Sequence, residues 1–191
     1  MISTKKMNNE LIKNIISQAR EYEVNNNYSE SLLHNKTVCL YFLEPSTRTM
    51  LSFQSAVYKL GGNVIIYSSE NSSEKKGESF DDTIRAIECY CDLLVLRHPE
   101  KNKVKEVHDK LKIPVINAGD GYKEHPTQAL LDLYTMDSYY KIYSLRSINK
   151  ILIIGDIKSR TINSLLYLLF KYTSCLINYV IVGDDLDRHK D

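Results

Sequence analysis

Short apolar, β-branched runs and helix-spaced segments take turns along this chain, and that alternation leaves few folds open. Thr37–Phe42, Asn63–Tyr67, Leu93–Leu96 and Pro114–Asn117 read as strands. Between and after them come segments with helical spacing. One follows Ser46 and carries Leu51, Ala56, Val57 and Leu60; others run over Phe80–Tyr90 and Lys103–Leu111. A further helix is opened by Pro126 at its first position and continues to about Tyr139. Ahead of all of these, Leu11, Ile12, Ile15, Ile16 and Ala19 mark an amphipathic helix from Asn9 to roughly Glu23, ended by Asn25-Asn26-Asn27. Such alternation predicts an α/β domain built on a parallel sheet. Leu93-Leu94-Val95-Leu96 is apolar throughout, as a strand covered on both faces must be. Ligands of these sheets bind beyond the carboxyl ends of the strands, where the strand order reverses.

Three segments follow strands and so fall on that edge. The first is Phe42-Leu43-Glu44-Pro45-Ser46-Thr47-Arg48-Thr49-Met50. Pro45 stops the strand, because proline cannot donate to a ladder, and Ser46 or Thr47 can cap the helix beyond it. Free N–H groups at a helix start, the positive end of its dipole and a guanidinium fork together favour a phosphate. Taken alone, the segment reads sooner as an ordinary hydroxyl cap beside a solvated arginine; the rest of the chain decides for the phosphate. The second is Arg97-His98-Pro99, just past a strand end, with His98 read as structural. The third is the Gly119-Asp120-Gly121 loop leading to His125. His125 and Gln128 lie three apart at a helix start, share a face and point into one crevice.

Lys and Arg number 25 against 24 Asp and Glu, a formal charge of +1, so no global field recruits nucleic acid or a membrane surface. Any anion site must be local. No apolar run is long enough to span a bilayer, and Met1–Lys13 has no signal-peptide core; the expectation is a cytoplasmic protein. Cys39, Cys89, Cys91 and Cys175 show no paired metal-ligand spacing. Cys89-Tyr90-Cys91 is too tight for a comfortable disulfide, and all four thiols are expected to be reduced, with Cys39 buried in the first strand.

Ser68–Glu78 is polar and reads as a mobile loop. Beyond the Pro126 helix the pattern restarts: a strand over Lys150–Gly155, a helix over Thr161–Tyr172 and a strand over Ile177–Val182. The division expected is 1–142 for the first domain with its linking helix and 143–191 for the first βαβ part of a second α/β domain. Two strands and one helix cannot bury a core unaided.

EPSTRT followed by SF, then KKGES, LRHP and NAGDGYKEHPTQALLDLYT occur in that order. Together they resemble the catalytic chain of aspartate carbamoyltransferases, from about Asn8 to about Val182. HPTQ with STRT marks the wider carbamoyltransferase superfamily; KKGES and NAGDG point to the aspartate branch. The resemblance implies a carbamoyl-phosphate-binding domain followed by part of an aspartate-binding domain. It also implies transfer of the carbamoyl group from carbamoyl phosphate to L-aspartate, the second step of de novo pyrimidine biosynthesis.

By the same resemblance, Ser46, Thr47 and Arg48 hold the leaving phosphate. Thr49, Arg97 and His125 donate to the carbonyl oxygen, and Gln128 binds the carbamoyl NH2 group. Arg48, Thr49, Arg97 and His125 are thus the catalytic set. Lys76, with Ser72 as helper, reaches the active site of a neighbouring subunit in a homotrimer with shared sites. Lys76 and Arg160 bind the aspartate; Arg160 equally reads as a capping or surface residue, because GDIKSRT is about one residue short of the family pattern. No metal or organic cofactor is implied, and a regulatory chain is among the partners the resemblance raises. Two other readings stand beside this one: a non-catalytic remnant that binds carbamoyl phosphate, and ornithine as acceptor, which Lys76 disfavours.

Two departures fall in the first motif, where the family usually has Arg at Met50 and Glu at Gln54. These are i and i+4 on one helix, so losing both leaves a neutral pair and no orphan charge. The family also continues past Asp191 by roughly another domain's worth of sequence, so the second domain is expected to be incomplete here.

Overall fold

Strand and helix alternate as the pattern requires. The computed structural model describes residues 1–25, 32–68, 76–142, 150–156, 158–172 and 176–180. A 3-10 turn (Thr4–Lys6) and α1 (Asn9–Asn25) precede β1 (Thr37–Phe42), α2 (Thr47–Lys59), β2 (Asn63–Tyr67) and α3 (Phe80–Glu88). Then come β3 (Leu93–His98), α4 (Lys103–Lys110), β4 (Val115–Asp120), α5 (Pro126–Ile142), β5 (Lys150–Ile154), α6 (Arg160–Tyr172) and β6 (Leu176–Val180).

Four strands form a parallel sheet in the order β2-β1-β3-β4, and β5 and β6 form a separate parallel pair. The chain steps from β1 outward to β2, then returns to the other side of β1 for β3. The order therefore reverses between β1 and β3, which opens a crevice at their carboxyl ends. The register sets Phe42 beside Arg97 at that edge.

Side chains alternate across the sheet. Cys39, Tyr41, Leu94 and Leu96 face one way, against Ile84 and Ile87 of α3 and Val104 and Val107 of α4. Val38, Leu40, Val95 and Ala118 face the other, against Val57 of α2. A third core joins Ile12 and Ile16 of α1, Ala129 and Leu133 of α5, and Leu165, Leu168 and Leu169 of α6. The β5–β6 pair leaves Leu152 and Ile154 exposed. Its helix is held by packing on α1 and α5, as two strands with one helix require.

Several sequence expectations are corrected. β3 runs on to His98, so Arg97 is a strand residue rather than one just past the end. β4 runs on to Asp120, so Gly119 and Asp120 belong to it and are not loop. Both extensions arise because a neighbouring strand is there to pair, which no local propensity reveals. α3 stops at Glu88, before Tyr90, and α5 continues beyond Tyr139 to Ile142. α6 already begins at Arg160. On α2, Leu51 points to solvent at 58% exposure and Ala56 is exposed; the packed positions are Met50, Phe53 and Val57. The tail of the last strand, Ile181 and Val182, lies outside the described residues, as does Cys175.

Candidate active site

Leu43 N–H donates to Arg97 O (3.0 Å) and keeps the chain beside β3 for one residue beyond β1. Pro45 then turns it, and Ser46 takes the N-cap position of α2. The Ser46 hydroxyl does not cap the helix, as was expected of Ser46 or Thr47; it accepts a hydrogen bond from Arg97 Nη1 (3.2 Å). The first-turn N–H groups of α2 are thereby left to an outside acceptor. Thr47 and Arg48 are exposed and Thr49 is half-buried at this helix start.

Arg97 rises from β3 into the same space. Its Nε donates to Glu44 Oε2 (3.1 Å) and its Nη1 reaches Ala118 O (3.4 Å). Glu44 Oε2 also accepts from Arg160 Nη1 (2.7 Å), which reaches Gly121 O as well (2.9 Å). One carboxylate therefore fixes two guanidiniums, one from the large sheet and one from the first turn of α6. Burial, with Arg160 nearby, pushes the Arg97 guanidinium down from its ordinary value, and Glu44 opposes the shift. Gly119 is wedged beside the pair with φ +131°. A Cβ there would meet Arg160 Nη1 at 3.3 Å and Arg97 Cγ at 3.4 Å. Glycine supplies both the positive φ and the space.

His125 precedes α5, and its backbone N–H donates to Ser164 Oγ of α6 (2.7 Å). The residue is 6% exposed and its ring Nδ1 has no partner among the described residues. Burial, with Arg97 and Arg160 adding repulsion, lowers its pKa to about 4, so at neutral pH it is an uncharged imidazole that can donate one N–H. The residue before it, Glu124, is buried and accepts from Ser3 Oγ (2.5 Å) and Thr4 N (2.7 Å), which anchors the loop to the N-terminal turn. Gln128, one helical turn on, donates Nε2 to Asp132 Oδ1 (2.9 Å).

These groups line one cleft of about 970 Å³. Ser46, Thr47, Arg48, Thr49, Arg97, His125, Gln128 and Arg160 all border it. Its lining includes three arginines and no acidic side chain, so it suits an anion; Glu44, behind the lining, offsets part of the charge. Arg160, which read equally as a surface residue, is half-buried within the site. Lys76 is exposed and does not border the cleft within this single chain, and Ser72 lies outside the described residues. His98, as expected, is structural: it is buried, stacks edge-on against Phe80, and its Nδ1 accepts from Glu100 N–H (3.0 Å). No group of His, Cys, Asp or Glu among the described residues is placed to hold a metal, and no described helix is long and apolar enough to cross a membrane.

Sequence reasoning missed Glu44, Thr127 and Ser164. Glu44 and Thr127 each carried one signal, their places within EPSTRT and HPTQ; Ser164 carried none. Of the two departures, Met50 packs into the core under α2, and Gln54 reaches Tyr58 Oη at 3.5 Å.

A hydroxyl- and arginine-lined crevice at the switch point of a parallel sheet defines an α/β protein with a cleft suited to an anion. Residues 1–138 match the family model of the aspartate/ornithine carbamoyltransferase carbamoyl-phosphate-binding domain, and the chain belongs to that family. It is 42% identical over 184 residues to the aspartate carbamoyltransferase catalytic subunit of Methanocaldococcus jannaschii, covering 94% of this chain and 59% of the relative. It is 43% identical over 185 residues to the chloroplastic aspartate carbamoyltransferase of Arabidopsis thaliana, covering 94% and 47%. Among solved structures it resembles aspartate transcarbamoylase from Trypanosoma cruzi in complex with carbamoyl aspartate and phosphate. There the TM-score is 0.87 at 35% identity, over 97% of this chain and 61% of that one. The same enzyme with N-(phosphonacetyl)-L-aspartic acid gives a TM-score of 0.84 at 36% identity, over 97% and 59%. The chain thus spans about half to three-fifths of the length of these relatives.

Proposed function

We propose that this cleft binds carbamoyl phosphate and passes its carbamoyl group to the amine of L-aspartate, giving N-carbamoyl-L-aspartate and phosphate. The observation that carries the reading is the convergence of Arg48, Arg97 and His125 on one crevice beside the uncapped start of α2. The phosphate lies against Ser46, Thr47, Arg48 and the first-turn N–H groups, where dipole and guanidinium both favour it. The carbonyl oxygen faces Thr49, Arg97 and His125. As the amine attacks the carbonyl carbon, charge grows on that oxygen, and donors already fixed in place stabilise it without reorganising. A neutral His125 keeps its donor proton and adds no charge to a site already rich in arginine. Gln128 takes the carbamoyl NH2 group. The C–O bond to phosphate breaks, and phosphate leaves in the cradle that bound it. Most of the rate comes from positioning and fixed charge.

Arg160, held by Glu44, meets a carboxylate of aspartate. Lys76 and Ser72 serve the site of a neighbouring subunit in a homotrimer, which accounts for Lys76 standing away from the cleft of its own chain. Residues 1–142 form the carbamoyl-phosphate domain with its linking helix, and 143–191 open the aspartate domain. The reaction is cytoplasmic and belongs to pyrimidine biosynthesis.

The test is an assay of the purified 191-residue chain for carbamoylaspartate from labelled carbamoyl phosphate. Turnover with aspartate supports the reading. Thermal stabilisation by carbamoyl phosphate without turnover marks a binding module instead, and carbamoylation of ornithine would change the acceptor.

A further inference from the structure

Gln128 borders the cleft from the first turn of α5, and its amide has two ends, an oxygen that accepts and an NH2 that donates. Which end meets a ligand depends on what holds the other. The cleft is already rich in donors: Arg48, Arg97 and Arg160 line it and no carboxylate does. A ligand group that itself donates needs an acceptor there. One turn along the same helix stands Asp132, half-buried, whose Oδ1 accepts from Gln128 Nε2 at 2.9 Å. Positions four apart share a helix face, so the pair is built into α5 and depends on no other element. Gln128 is the one hydrogen-bond partner of Asp132 among the described residues. Burial pushes the Asp132 carboxyl up from its ordinary value, and the bond from Gln128 opposes the shift. Asp137, further along α5, is paired with Arg20; Asp132 has only a neutral amide, an unfavourable arrangement for a half-buried carboxylate.

We propose that Asp132 is a positioning residue: it holds the Gln128 amide with its NH2 turned back along the helix and its oxygen turned into the cleft, where that oxygen accepts from a ligand NH2 and selects carbamoyl phosphate over other acyl phosphates of its size. The inference rests on the reading of Gln128 as the partner of the carbamoyl NH2 group. An ionised carboxylate only accepts, so the flipped amide, oxygen against oxygen, is excluded. Gln128 Oε1 has no partner among the described residues and is left for the ligand. A ligand with CH3 in place of NH2 gives that oxygen no donor, and an acceptor taken from water without a donor costs binding. Without Asp132 the amide turns freely, and its NH2 can face the NH2 of the ligand.

The probes are carbamoyl phosphate and acetyl phosphate, which differ by NH2 against CH3, titrated calorimetrically in the cold into the 191-residue chain. The unmutated chain should prefer carbamoyl phosphate about tenfold, the scale of one hydrogen bond. Asp132→Leu, similar in size and unable to accept, should cut that preference to about twofold or less, while acetyl phosphate binds as before. Asp132→Asn, which donates as well as accepts, should cut it by a smaller factor, and it carries the test if the leucine variant does not fold. In Gln128→Ala the preference should be gone, and adding Asp132→Leu should change nothing more. Equal weakening of both ligands by Asp132→Leu would make Asp132 a plain brace of the helix and overturn the proposal. An unchanged preference, or a further loss in the Gln128→Ala background, would overturn it too. Should neither compound bind, the reading of the cleft fails and this inference with it. Should both bind alike in the unmutated chain, the phosphate cradle stands and this inference alone falls.

Discussion

Arg48 and Arg160 are two guanidiniums of one cleft held in opposite ways. Arg48, at the start of α2, is exposed and has no ion-pair partner among the described residues. Arg160, at the start of α6, is half-buried and tied to Glu44 and to Gly121 O. The first region keeps its charge available for a ligand. The second consumes charge in fixing geometry: Glu44 ties α6 to the edge of the large sheet, while Ser164 holds the backbone of His125. In the proposed function, Arg48 meets the phosphate and Arg160, already fixed by Glu44, meets the aspartate carboxylate. The contrast can be broken experimentally.

The largest effect belongs to His125 on the α6 side. His125→Ala should lower carbamoylaspartate turnover by about a hundredfold or more, the scale of one lost oxyanion donor. Stabilisation by carbamoyl phosphate should fall far less; equal losses would show that His125 merely binds. Next comes the support under α6. Leu168 is fully buried between α1, α5 and α6, and Leu168→Ala should cost about 3 kcal/mol in denaturant unfolding. A cost below about 1 kcal/mol would mean that α6 is not held by this core.

A pH effect of similar size follows from the same histidine. Its folded pKa is about 4 against an ordinary 6.5. Above pH 6.5 both folded and unfolded forms are neutral there, and stability has no dependence on this group. Between pH 6.5 and about 4 the unfolded chain takes up a proton that the folded one refuses, so stability is lost as pH falls. The loss totals about 3 kcal/mol across that window. His125→Gln should remove this part of the slope in unfolding measured from pH 7 to pH 4; an unchanged slope would place the titration elsewhere.

On the α2 side the effects are smaller and of another kind. Arg48→Ala should weaken carbamoyl phosphate binding about tenfold, the scale of one charge-assisted hydrogen bond, by calorimetric titration. Stability without ligand should stay within about 0.5 kcal/mol, because an exposed side chain is lost. The smallest effect is at Met50. Met50→Arg alone should gain less than about 1 kcal/mol, since Gln54 offers it no charge. A larger gain would show that the neutral pair is a defect in the cradle helix rather than an exchange.

What could be read without coordinates was local. Pro45 ends a strand, Pro126 opens a helix, and hydroxyls beside Arg48 at a helix start make an anion site wherever the helix stands. The alternation of elements gave the parallel sheet, and topology alone put three motifs on its carboxyl edge. The misreadings were all matters of neighbours. Leu51 and Met50 are equally apolar, and only the approach of β1 and β3 chose Met50 for the core. Arg97 looked like loop because it is charged, yet pairing with Phe42 makes it strand.

The sequence by itself therefore determined the class of fold, the edge on which chemistry occurs and most of the side chains that border it. Each of these depends on residues within a few positions of one another. The tertiary structure alone decided that Glu44 would clamp one arginine from β3 and one from α6, and that His125 would be neutral. Those outcomes depend on distances between elements far apart in the chain and on the exclusion of water, which no local pattern encodes.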